Sequence, residues 1–363
     1  MRHRLHSLCP YFAMFPESFV EKWIALLTKP GDIVLDPFCG RGTAPFQALL
    51  MGRRAIGSDI NPVAYCVTRA KTNAPLAAQV RRRLTILGTR YDARQWDSVR
   101  RRLPEFFSFA YSKDTLRQIL YLRTTLRWRH SDVDCMIAAL TLGALHGDTS
   151  SPSYLSSQMP RTISTKPAYS VRYWLNHGLK PPERDVFELL RTQLSFRYAT
   201  QPPSERALIL QQDIRELPRH LHLFPRPIRF VITSPPYFDT TSYEEDQWLR
   251  LWFLRGPPRP TYGLVSSDDR LENKVAYWRL IGDMWRSLAI TVDPQADVVI
   301  RIGMKDTPPK EIAEALEASA MLAPRSVKLL HYEASAIKGR QTNAFRPGSK
   351  GVAVEVDCHF RMT

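Results

Sequence analysis

The chain has 363 residues, 44% of them hydrophobic, and a net charge of +16; it can bury a sizeable core, and its length suits one large domain with an insertion, or two domains. No apolar run approaches ~18 residues and no signal segment heads the chain, so the expected location is the cytoplasm, with no membrane partner. The five cysteines (Cys9, Cys39, Cys66, Cys135, Cys358) are scattered, with no C-x-x-C pair and no Cys/His cluster at zinc spacing, so neither a disulfide framework nor a metal is indicated.

In chain order, the first pattern is Cys9-Pro-Tyr11-Phe12-Ala-Met-Phe-Pro16, aromatics placed just before a helix, which as residues alone read as a hydrophobic staple. Gly31 to Thr43 then reads as a turn, a buried strand at Ile33 to Leu35, a loop with Gly40 and Gly42, and the start of a helix over Ala44 to Met51. A loop bare of side chains at two positions lets the backbone approach a ligand, and the helix N-terminus behind it presents unpaired N–H groups. A second strand, Ala55 to Ser58, ends in Asp59, 19 residues after Gly40. An acid there suits both hydroxyls of a ribose, and Ile60 beside it suits a purine face. A helix over Val63 to Thr72 follows.

The middle segment, residues 73–205, reads differently. Arg-rich stretches (Arg81 to Arg83, Arg100 to Arg102) precede helices expected over Ser112 to Trp128, Asp132 to Leu145 and Glu183 to Phe196, with a Ser/Thr/Tyr-rich loop from Gly147 to Tyr173. A loop of that length is functional or disordered as a rule, and its Tyr154, Tyr169, Tyr173 and Trp174, mixed with Arg161, Lys166 and Arg172, suit nucleic acid. Between Arg69 and Arg229 there are 27 Lys/Arg against 13 Asp/Glu, a net of +14, so nearly all of the basic excess is local. Solubility alone gives no reason for that concentration; contacts to phosphates do.

Strand and helix alternate again beyond the insertion. Ala207 to Leu210 leads to Gln212-Asp213-Ile214, and Ile228 to Ile232 leads to Thr233-Ser234-Pro235-Pro236-Tyr237. The two prolines fix φ near −65° and remove two donors, leaving carbonyl acceptors in a set geometry, a hydroxyl before them and a flat ring after them. Such a loop suits a planar amine; its plain alternative is a Pro-rich turn. Ser242-Tyr-Glu-Glu245 reads as a capping box for a helix carrying Trp248, Leu249 and Trp252. A further helix is expected to face inward with Val275, Trp278, Ile281, Trp285 and Leu288, before a strand at Asp297 to Ile302. Val327 to Tyr332 and Val352 to Phe360 complete the chain as two strands around the polar loop Lys338 to Lys350.

Taken together, Asp36-Pro37-Phe38-Cys-Gly40-Arg-Gly42-Thr43, Asp59 and Thr233 to Tyr237, in that order, resemble the amino-group DNA methyltransferases, which make N4-methylcytosine or N6-methyladenine from S-adenosylmethionine. The resemblance covers roughly residues 6–68 and 206–361. It implies an α/β, Rossmann-like methyltransferase fold, a mostly parallel sheet with helices on both faces and a terminal antiparallel hairpin, here split by a mainly helical insertion: 1–72 and 206–363 for the methyltransferase domain, 73–205 for the basic DNA-contact region. It further implies that Asp36, Pro37, Phe38, Gly40, Gly42, Thr43, Asp59, Ile60 and Thr233 line the cofactor, that Tyr11 and Phe12 flank it, and that Asp213 and Ile214 meet its adenine. Ser234, Pro235, Pro236 and Tyr237 become the catalytic loop, acting on a base flipped out of double-stranded DNA, with no nucleophilic side chain and no metal. Ser before Pro-Pro-Tyr goes more often with cytosine N4 than with adenine N6. Double-stranded DNA is the expected partner, and a cognate restriction nuclease is a candidate one. The insertion departs from the family by following the second strand directly. Rival readings are an RNA base methyltransferase, a protein-amide methyltransferase, and a nucleic-acid-binding module that kept an idle core.

Overall fold

The computed structural model describes residues 2–11, 15–147, 152–156, 166–238, 243–266, 273–337 and 352–363. Two compact units result: Met1–Phe12, Arg69–Ser204 and Tyr243–Tyr262 form one, and Ala13–Thr68, Glu205–Ser242 and Gly263–Thr363 the other.

The second unit is built on one sheet. Its strands are β1 (Ile33–Asp36), β2 (Arg54–Ser58), β3 (Leu208–Leu210), β4 (Phe230–Thr233), β5 (Ala296–Ile302), β6 (Val327–Ala336) and β7 (Val354–Met362). The spatial order is β3-β2-β1-β4-β5-β7-β6. The first five are parallel, and β7 runs antiparallel between β5 and β6. This is the expected mostly parallel α/β sheet with a terminal antiparallel pair; the loop between β6 and β7 lies outside the described residues.

β1 and β4 are buried along their whole length, which is why they read as unbroken apolar runs and not as alternating patterns. Their side chains alternate between two cores. Leu35 and Val231 face one core with Tyr277, Ile281, Met284 and Trp285, whereas Val34, Phe230 and Ile232 face another with Phe19, Val20, Trp23, Ala44 and Ala48. The first group sits under the helix Lys274–Thr291 and the second under helices α1 (Glu17–Leu27) and α2 (Thr43–Leu50). One expectation fails here: Val275 is 70% exposed. The helix begins at Lys274, so Val275 lies in its first turn, and the inward face is carried by Tyr277, Leu280, Ile281, Met284, Trp285 and Leu288.

The chain runs outward from β1 through β2 to β3 and then returns to β4 on the other side of β1. Strand order therefore reverses between β1 and β4, and ligands of open α/β sheets bind beyond the carboxyl ends at such a point.

The other unit is helical, and its main helices among the described residues are Ala77–Arg90, Lys113–Thr125, Asp132–Ala144, Pro167–Asn176 and Val186–Arg197. Residues 243–262 pack into it: Arg123 donates to the Trp252 carbonyl at 2.7 Å and to that of Gly256 at 3.0 Å, and the rings of Phe107 and Trp252 lie 4.4 Å apart. Two local expectations change. Residues 167–176 are a helix and not loop, because Pro167 occupies its first turn, where a missing N–H costs nothing; Trp174 is buried by it, whereas Tyr169 stays 54% exposed. The helix from Lys113 stops at Thr125, and Leu126 turns extended while staying buried. Ser242 of the expected capping box and most of the 147–165 stretch lie outside the described residues.

No helix among the described residues is long and apolar enough to cross a membrane.

Candidate active site at the carboxyl ends of β1, β2 and β4

Asp36 closes β1 and is fully buried. Its Oδ1 accepts from the Phe38 backbone N–H at 3.2 Å and from the Thr233 hydroxyl at 2.7 Å. The second bond joins residues 197 apart in sequence and draws the ends of β1 and β4 together. The other oxygen, Oδ2, is buried with no hydrogen-bond partner. Burial pushes the Asp36 carboxyl up to about 7 against the Thr233 and Phe38 bonds, and the nearby Asp59 charge adds to the rise. A buried carboxylate with an unused oxygen is costly unless a cation or donor meets it.

The glycine loop follows. Gly40 and Gly42 have φ of 49° and 71°, the left-handed region that favours glycine. At Gly42 a Cβ would lie 2.5 Å from the Thr68 side chain, whose hydroxyl also donates to the Gly40 carbonyl at 2.9 Å. Cys39, buried, donates its N–H to the Ser58 carbonyl at 2.9 Å, which fastens the loop to the end of β2. Pro37 and Thr43 are buried and Phe38 half-buried, and Thr43 opens α2 directly behind the loop.

Asp59 does more than the sequence suggested. One carboxylate oxygen accepts the Gly40 N–H at 2.9 Å and the other the Asn61 N–H at 2.9 Å, so the acid itself holds the loop. Burial raises its pKa to about 6, against those two N–H bonds. Ile60 is half-buried beside it. The backbone of Asp59 ties in β3's end, donating to the Leu210 carbonyl at 3.2 Å and accepting from Gln212 N–H at 3.1 Å. Asp213 caps the turn after β3 but spends both oxygens on the Arg215 guanidinium, each at 2.8 Å. Burial works to raise its pKa, and the Arg215 bonds together bring it below the ordinary value. Ile214 is 3% exposed and belongs to the core. Tyr11 is buried in the helical unit and Phe12 lies outside the described residues.

On β4, Thr233 is fully buried, Pro235 is buried, and Ser234 and Pro236 are partly exposed. Ser234 Oγ donates to the Tyr237 hydroxyl at 3.3 Å, and Tyr237 donates to Glu355 Oε1 at 2.9 Å. The Tyr237 ring is 6% exposed and packs where a Cβ on Gly303 would come within 3.1 Å. Burial first, then the Glu355 charge, keeps the Tyr237 phenol far above its ordinary value and so protonated.

Glu355 belongs to a buried charge group that the sequence did not reveal. Arg301 on β5 makes a bidentate pair with Asp357 on β7 (2.6 and 2.7 Å), lies 3.4 Å from Glu355 and stands 3.9 Å over the Phe19 ring. The available signal was the alternation of Glu355, Asp357, His359 and Arg361 with apolar residues along β7, hence one polar face, matched on β5 by Asp297 and Arg301. Among the described residues no group of three His, Cys, Asp or Glu is arranged to hold a metal ion.

The family described as DNA methylase, of the N6/N4 type, matches residues 2–68. Over 67 residues the chain is 36% identical to the type II methyltransferase M.MjaII of Methanocaldococcus jannaschii, covering 18% of this chain and 13% of that protein. It is 42% identical over 52 residues to the type II methyltransferase M.Cfr9I of Citrobacter freundii (14% and 17%) and 46% identical over 46 residues to the DNA adenine methyltransferase YhdJ of Escherichia coli (13% and 16%). The chain thus spans less than a fifth of the length of each of these three. Residues 2–68, the segment that carries the glycine loop and Asp59, thus match the N6/N4 amino-group DNA methylase family and type II methyltransferases within it.

Proposed function

We propose that this protein is an S-adenosylmethionine-dependent DNA methyltransferase that modifies the exocyclic amine of a base extruded from double-stranded DNA, cytosine N4 in the first place. The observation that carries the reading is the 2.7 Å bond between Thr233 and Asp36, which sets the Ser-Pro-Pro-Tyr loop beside the glycine loop at the point where strand order reverses. The donor set suits a cationic nucleoside: Asp36 offers a buried oxygen without a partner, Gly40 and Gly42 turn a side-chain-free backbone in the left-handed region, and Asp59 stands at the end of β2. Asp36, Pro37, Phe38, Gly40, Gly42, Thr43, Asp59, Ile60 and Thr233 would hold the cofactor, with Asp213 beside them. Bound there, S-adenosylmethionine supplies an electrophilic methyl group on a sulfonium.

The chain's own work is to aim a weak nucleophile. The amine lone pair is delocalised into the base ring, and acceptors at Ser234 and the Pro235 carbonyl would hold its two hydrogens and favour the charge that develops on nitrogen, which is preorganisation more than acid-base work. With its ring 6% exposed and its hydroxyl bonded to Glu355, Tyr237 backs the loop from behind, and the hold on the base falls to Ser234 and Pro235. Ser before Pro-Pro-Tyr supports cytosine; the likeness to YhdJ, named for adenine, supports adenine N6 as the second reading.

The helical unit, residues 73–205 in the main, is proposed to contact DNA. Several of its arginines serve internal pairs, Arg69 with Asp132, Arg83 with Asp134 and Arg117 with Asp97 and Asp114. Arg81, Arg82, Arg90, Arg101 and Arg102 are exposed and make no ion pair among the described residues, which suits phosphates. A cognate nuclease would be the natural partner of such an enzyme.

The test is to incubate the protein with methyl-labelled cofactor and genomic DNA amplified in vitro, digest the DNA and identify the labelled nucleoside. N4-methylcytosine is expected. N6-methyladenine would move the assignment to adenine, and label in neither would refute the proposal.

A further inference from the structure

We infer that Glu355 is the terminal proton acceptor of a relay that runs from the target amine through Ser234 and Tyr237; the inference rests on the methyl-transfer reading above. Valence sets the direction of the chain. A carboxylate only accepts, so the single Tyr237 proton goes to Glu355 Oε1 at 2.9 Å. The Tyr237 oxygen is then left to accept from Ser234 Oγ at 3.3 Å. With its proton committed to Tyr237, Ser234 turns lone pairs outward, as an amine N–H requires.

The surroundings equip Glu355 for this and not Asp357. Asp357 is held by two short bonds from Arg301 at 2.6 and 2.7 Å, whereas Glu355 receives only the edge of that guanidinium, Nη1 at 3.4 Å. The groups facing Glu355 are Tyr237 from the loop after β4, Arg301 from β5 and, behind Arg301, Asp357; its register partner on β6 is the uncharged Ser335. Burial raises the Glu355 carboxyl above its ordinary range against the opposing pull of Arg301 and the Tyr237 bond. That makes it a better base than a surface carboxylate, and its side chain is 16% exposed, enough to pass a proton on to solvent.

The step balances without a co-reactant. Once the amine nitrogen carries the new methyl group it holds one proton too many. Its N–H bond breaks as Ser234 Oγ takes that proton, the Ser234 proton passes to Tyr237 Oη, and the Tyr237 proton passes to Glu355. Each oxygen along the way regains one proton for the one it gives, and one neutral carboxyl is the net product. Glu355 touches no substrate atom, so it is a positioning and proton-accepting residue acting through two others.

Glu355→Gln keeps the acceptor for Tyr237 and removes the base. In single-turnover methylation of in vitro amplified DNA it should slow the reaction about 100-fold, the scale of a lost general base, while leaving the dissociation constants of cofactor and DNA unchanged. The wild-type rate should fall as pH drops through the raised Glu355 value, and the variant should lose that acid limb. Tyr237→Phe should slow the reaction as much, and the double variant no further. Independently of turnover, carbon-13 carboxyl shifts in the cofactor-free protein should show Glu355 titrating above the usual glutamate range, and higher still in Tyr237→Phe. A Glu355→Gln rate within twofold of wild type, or a Glu355 titration indifferent to Tyr237→Phe, would overturn the relay while leaving the methyltransferase intact. A wild-type protein that methylates no DNA amine, with the Glu355 titration still answering to Tyr237, would overturn the methyl-transfer reading and the relay's proton role with it.

Discussion

Asp36→Asn isolates the charge buried at the end of β1. The Asp36 carboxyl stands at about 7 against an ordinary 3.8. Holding it ionised in the folded protein therefore costs about 4 kcal/mol at pH 8, where it is charged in folded and unfolded chains alike. A group whose folded pKa is raised contributes most stability at low pH and loses it as pH climbs through the folded value. At pH 5 the folded carboxyl is already protonated and the cost has fallen to ~1.6 kcal/mol. Asparagine keeps the oxygen that accepts from Thr233 and Phe38 but sets an unpartnered N–H2 in place of Oδ2, at about 2 kcal/mol. The variant without cofactor should thus be more stable than wild type by about 2 kcal/mol at pH 8 and nearly equal to it at pH 5. Cofactor affinity should move the other way, falling about 30-fold at pH 8 with the loss of a charged hydrogen bond. Urea denaturation at the two pH values and calorimetric titration with S-adenosylmethionine read both effects. A variant less stable than wild type at pH 8, or one that binds the cofactor as tightly, would refute the assignment of Asp36 as a carboxylate waiting for a cationic ligand.

Two glycines at positive φ separate strain from collision. Gly31→Ala meets nothing within 4 Å and should lose about 1–2 kcal/mol through its φ of 89° alone. Gly42→Ala adds a clash 2.5 Å from Thr68; it should lose clearly more in denaturant melts and weaken cofactor binding at least tenfold, and equal losses in the two would show that the Gly42 cradle is not tight. If Arg81 and Arg82 both meet phosphates, Arg81→Gln/Arg82→Gln should reduce the slope of log affinity for DNA against log salt by about 1.8; an unchanged slope would remove them from the interface.

What sequence alone determined is what local chemistry encodes. The run Ile33 to Leu35 could only be a buried strand, the left-handed turns at Gly40 and Gly42 need glycine, Asp59 follows the end of its own strand, and Pro235 and Pro236 carry their geometry within their rings. The alternation of strand and helix was enough for the sheet's class, and it put the candidate residues at the carboxyl ends of the parallel strands. Val275 was misplaced because helical period says which residues share a face but not where the helix meets its neighbour. Tertiary structure decided what depends on register and on distant chain. It paired Asp36 with Thr233, turned the Tyr237 ring inward, closed Asp213 onto Arg215, and gave Glu355 its place behind Ser234. Arg301 meets Asp357 only because β5 and β7 run antiparallel in one register. A slip of one residue would turn each side chain to the opposite face, and no spacing within either strand carries that choice.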